Sequence, residues 1–158
     1  MESEKDISIE YEELKKEFGL PNFDRLAEDF DIEKISEKET SFLMREIRRA
    51  INEKLSAYLH LFETLINPTS PPMFVFSLLK NVSLEDKEKI KEIYKKLSKL
   101  QVKVMKLDTN YSESGEAEFV NNSFGEWQEI KPEIMGLIEK FETGFEENGD
   151  SRKNGYFG

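Results

Sequence analysis

The spacing of apolar residues between positions 90 and 111 constrains this chain more than any other feature. Ile90, Ile93, Leu97, Leu100, Val104, Leu107 and Tyr111 recur at alternating steps of three and four. That period places all seven on one side of an α-helix, whereas a strand needs strict alternation. A lone helix of this kind is marginal in water, so the stripe must be buried against other helices. Two further segments repeat the signal. Met44, Ile47, Ile51, Leu55, Tyr58, Phe62 and Leu65 form one stripe, and Val120, Phe124, Trp127, Ile130, Ile134, Leu137 and Phe141 another. No strand-type alternation competes with them. The expected fold class is all-α: an antiparallel helical bundle of three long helices, plus short N-terminal and capping helices.

Boundary signals refine this. Gly19 with Pro21 just beyond ends a first short helix that starts near Ile9, and Asn22 caps a second one holding Phe23, Leu26 and Phe30. Ser36 with Glu39 reads as a capping box that opens a long helix to Ile66, where Asn67-Pro68 stops it. Pro71 and Pro72 start a short helix, Met73 to Lys80, whose apolar residues are expected to be buried at the end of the bundle. Ser83 with Asp86 is an acidic form of the capping box and opens the helix 84–111. A tight turn at 112–115 leads into the last helix. There Pro132, with Gly125 and Gly136 on either side, predicts a kink near 129–131. The expected domain is 1–144, with 145–158 as a flexible C-terminal tail.

The residue inventory narrows the chemistry. The 158-residue chain contains no cysteine, which excludes disulfides and thiolate chemistry. His60 is the single histidine, and His60 with Glu63 supplies only part of a carboxylate-bridged di-metal motif. A histidine-assisted nucleophile fails for the same reason, and no glycine-rich phosphate loop occurs. The many carboxylates read as solvated helix faces. The expectation is a protein that is not an enzyme, with no cofactor and no metal. The N-terminal segment has no apolar run, and the apolar run Met73–Leu79 is too short to span a bilayer, so a cytoplasmic protein with no membrane association is expected. Glu and Lys greatly outnumber Asp, Arg and Gln, a composition of archaeal or thermophilic type.

Charge is distributed unevenly. The chain carries a net charge of −10, yet residues 87–112 are net +5. Lys87, Lys91, Lys95, Lys99, Lys103 and Lys106 step along the side of the helix 84–111 that lies away from its apolar stripe. Neutralisation of this ladder by the acidic last helix is the expected arrangement. A phosphate backbone or an acidic partner is the alternative. Arg45, Arg48 and Arg49 form a second cationic cluster, suited to carboxylate or phosphate and expected to be absorbed by nearby acids. Tyr156 and Phe157 are aromatic residues in a polar tail, the pattern of a short docking motif. Together these residues predict a non-enzymatic helical interaction or adaptor protein that docks onto a protein or macromolecular assembly, with a homo-oligomer among its expected forms. The alternative is RNA or ribonucleoprotein binding through the lysine face.

Overall fold

The computed structural model describes residues 7–37, 42–70 and 72–156, with the backbone alone for 36, 37 and 147–156. The described residues form six α-helices: α1 (Ile7–Phe18), α2 (Phe23–Phe30), α3 (Leu43–Ile66), α4 (Met73–Leu79), α5 (Leu84–Thr109) and α6 (Glu113–Tyr156), with a 3-10 helix at Ile32–Glu37. No strand occurs among them. The three long helices α3, α5 and α6 pack against each other, so the all-α bundle is the observed class.

The stripes read from the sequence are the buried faces. On α5, Ile90, Ile93, Leu97, Leu100, Val104 and Leu107 are all buried, as are Met44, Ile47, Ile51, Leu55, Phe62 and Leu65 on α3. Several end signals also act as read. Asn22 Oδ1 accepts the amide of Asp24 at the start of α2. Ser83 Oγ accepts the Asp86 amide at 3.1 Å, while Asp86 Oδ2 accepts the Ser83 amide at 3.2 Å, a reciprocal cap on α5. Gly19, at φ 63°, ends α1 in the left-handed conformation that glycine adopts without strain.

Other boundaries differ. The long helix α3 starts at Leu43, and residues 32–37 belong to the 3-10 helix, so no continuous helix begins at Ser36. Glu39 of the expected capping box lies outside the described residues. The turn before α6 lies N-terminal to its expected place. Ser112 caps α6 by accepting the Gly115 amide on its Oγ at 3.1 Å, which puts Gly115 inside the first helical turn. Helix α6 continues through Pro132 to Tyr156, well past residue 144.

The chain divides into two compact units, each drawing on all three long helices. The first comprises residues 1–57 and 97–127. Its core includes Leu26, Ile32, Ile47, Ile51, Phe119 and the buried Tyr11, whose hydroxyl donates to the Pro21 carbonyl. Burial, and after it the nearby Glu12, pushes the Tyr11 hydroxyl far above its ordinary pKa. Trp127 lies 5.9 Å from Phe30, ring centre to ring centre, and the Lys54 ammonium sits 5.0 Å from the Trp127 ring centre. The second unit comprises residues 58–96 and 128–158. Its core includes Phe62, Leu65, Val75, Leu78, Ile90, Ile93, Ile134 and Leu137.

Candidate docking site

Helix α4 begins straight after prolines, with Pro72 in the capping position at φ −54° and ψ 151° and no side-chain cap. Its sequence, MFVFSLL, is apolar nearly all round. A helix this short, with about 3.6 residues per turn, turns only one side to its neighbours, so such a sequence cannot be wholly buried. Val75 and Leu78 face inward. Met73, Phe74 and Phe76 remain 82%, 63% and 53% exposed. The expectation that the apolar residues of this helix are buried therefore holds for one side of it only.

Beside this exposed side lies an apolar pocket of about 250 Å³, contained wholly in the second unit. Helix α3 contributes Tyr58, Leu61 and Phe62, and α4 contributes Phe74 and Leu78. The remaining wall is α6, with Ile134, Leu137, Ile138, Phe141, Glu142 and Phe145. Phe74 stacks on Phe145 at a centroid distance of 6.1 Å with the rings 18° apart. Ile138 and Phe145 are themselves exposed at the edge of the α6 stripe. Pockets that bind small molecules usually occupy roughly 300–1,000 Å³ and carry several converging polar groups. This one is smaller and has a single charged group in its lining, Glu142. It suits a large apolar side chain.

A charge pair marks the same unit. Lys140 donates to Asp86, which is buried. Burial opposes the Asp86 charge, but hydrogen bonds from Lys140 and from Ser83 outweigh it and hold the carboxyl below its usual range. The hydrogen bond that Lys140 donates to Asp86, opposed by desolvation, raises its ammonium above the usual value.

The residues singled out from sequence fall in different surroundings. Lys87, Lys91 and Lys95 are exposed in the second unit, and Lys99, Lys103 and Lys106 are exposed in the first. Lys91 pairs with Glu88 on its own helix at 3.5 Å. No carboxylate among the described residues lies within ion-pair distance of the other five. Among the described residues, no ion pair joins the ladder to the last helix. Lys96, which the ladder does not include, is a lysine of α5 that pairs with α6, at Glu129.

The arginine cluster is split three ways. Arg49 pairs with Glu46 on the same helix at 3.0 Å. Arg45 lies over the rings of Phe42 and Tyr111, at 5.1 and 4.5 Å. Arg48 is only 2% exposed and binds Glu116 in the first turn of α6 and Asp108 in the last turn of α5. The sequence pattern pointed to nearby acids as the partners of this cluster. The partner lies far along the chain, where local spacing carries no signal. Tyr156 ends α6, but its side chain and the whole of Phe157 lie outside the described residues. His60 is exposed on α3.

Sequence reasoning did not find the pocket or its Ile138 and Phe145 edge. The signal available was the surplus of apolar residues on α4 and on α6 between Ile134 and Phe145, beyond what a single stripe can hold. The described part of the chain thus defines an all-α bundle protein with an open apolar pocket. No protein-family model matches the chain, and searches of curated proteins and of solved structures return no match. No helix among the described residues is long and apolar enough to cross a membrane.

Proposed function

We propose that this protein is a helical interaction module that binds a protein partner by taking an apolar side chain into the pocket between α3, α4 and α6. The observation that carries this reading is the exposure of Met73, Phe74 and Phe76 beside an open, nearly uncharged cavity. Contiguous exposed apolar surface of this kind is rare on monomers and marks interaction sites. Aromatic anchors that fill a pocket dominate the energetics of such interfaces.

The test is affinity purification from native cells with the natural chain and with a Phe74→Glu, Phe76→Ser variant, alongside light scattering of the pure protein. A stoichiometric partner, or self-association, should be present with the natural chain. It should be lost in a variant that keeps its helical signal and melting temperature. A strict monomer that retains no partner overturns the reading.

A second reading is RNA binding through Lys99, Lys103 and Lys106, supported by their exposure and by the lack of carboxylate partners among the described residues. It requires an affinity that falls steeply with salt and is lost on charge reversal of these three lysines. Binding insensitive to salt removes it.

A further inference from the structure

We infer that the segment seated in the α3/α4/α6 pocket is a cationic amphipathic helix of a protein partner. This rests on the docking reading above and adds the chemistry of the occupant. The pocket accounts for the apolar half. A side chain such as Leu or Phe removes its own surface and that of Phe74 and Phe145 from water on entering.

The rim accounts for the charge. Glu142 lines the pocket, and Glu139 and Glu146 are exposed one turn to either side of it on α6. Residues three and four apart share a helix face, so the three carboxylates form an acidic edge along the opening. No lysine or arginine among the described residues lies within ion-pair distance of any of them. The cation at Lys140 is engaged by Asp86, and Lys80 lies over the Phe76 ring, 5.2 Å from its centre. An acidic edge repels phosphate backbones and anionic lipid surfaces, which removes nucleic acid and membrane as occupants. A helix that presents an apolar stripe flanked by Lys or Arg matches both features, in the groove-binding mode familiar for amphipathic helices.

The experiment measures binding of three labelled amphipathic peptides to the full chain by fluorescence anisotropy. One has a Leu/Phe stripe with a lysine face, the second the same stripe with a glutamate face, and the third the lysine face with its stripe replaced by serine. The cationic apolar peptide should bind about tenfold more tightly than its acidic counterpart, the combined effect of a few exposed ion pairs. The preference should shrink with added salt and reverse in a Glu139→Lys, Glu142→Lys, Glu146→Lys variant. Equal binding of the two striped peptides overturns the inference and leaves the docking reading standing. Equal binding of the serine peptide, or no binding by any peptide, overturns both. The rim substitutions lie on exposed positions, so a matched melting temperature separates a loss of binding from a loss of fold.

Discussion

Arg48 on α3 holds the carboxylate of Glu116 on α6 at two points, Nε to Oε2 at 2.6 Å and Nη2 to Oε1 at 3.1 Å. The third guanidinium nitrogen, Nη1, reaches Asp108 on α5 at 2.9 Å, so one side chain joins all three long helices of the first unit. Glu116 is fully buried. Desolvation works against the Arg48 charge, but the hydrogen bonds and attraction of Glu116, with Asp108 behind them, outweigh it and raise its pKa further. The Arg48 guanidinium therefore stays charged across the accessible pH range.

Breaking this pair from one side leaves a buried charge without its partner. Arg48→Met alone, or Glu116→Leu alone, should destabilise the protein by about 3–5 kcal/mol in urea unfolding. The double variant should recover most of that loss, because an apolar pair of similar size carries no desolvation penalty. Asp108 is more than half exposed, and Asp108→Asn should cost less than about 1 kcal/mol. A double variant as damaged as the sum of the two single variants contradicts this account.

Three glycines of α6 should respond in opposite directions to alanine. A Cβ at Gly125 or Gly136 meets open space, so each substitution should stabilise by about 1 kcal/mol through helix propensity. At Gly144 an added Cβ collides with the side chain of Asn81, including its Cβ at 2.8 Å. Gly144→Ala should lower the melting temperature, and thermal unfolding of the three variants side by side checks the sign.

Acid stability should depend on Asp86. A carboxyl held below its unfolded value contributes stability that is present above the unfolded pKa, about 3.8, and is lost as the pH falls through the lower folded value. Lys140 is raised above 10.5, so its contribution is present below that pH and is lost as the pH climbs through the raised value. Asp86→Asn should lower stability at neutral pH and flatten the decline below pH 3.8. Melting temperatures recorded across pH for the two proteins test this, and parallel curves would refute it.

The exposed side of α4 should matter little to stability. Met73→Ser and Phe76→Ser should each change unfolding free energy by less than about 0.5 kcal/mol. Leu78→Ala, on the inward side of the same helix, should cost about 2–5 kcal/mol. A large loss from Phe76→Ser would mean that this face is structural, and would weaken its reading as a docking surface.

Much of the architecture was legible because its signals are local. The steps from Ile90 to Leu107 say which side of α5 must leave water whatever it meets, and Ser83 finds Asp86 within a single turn. The start of α3 was less legible, because the capping pattern at Ser36 falls inside the 3-10 helix at Ile32–Glu37. The site was legible only in part. The surplus of apolar residues in Met73–Leu79 was visible, but which of them would be covered was not.

The sequence by itself determined the helices and the faces they bury, since side chains three and four positions apart meet on one side of any α-helix. Tertiary structure decided that Arg48 is buried on Glu116, that Phe74 and Phe76 are left in water, and that five of the six ladder lysines have no carboxylate partner among the described residues. Each of these outcomes depends on which surface of a distant helix comes opposite, and no periodicity along one segment encodes that.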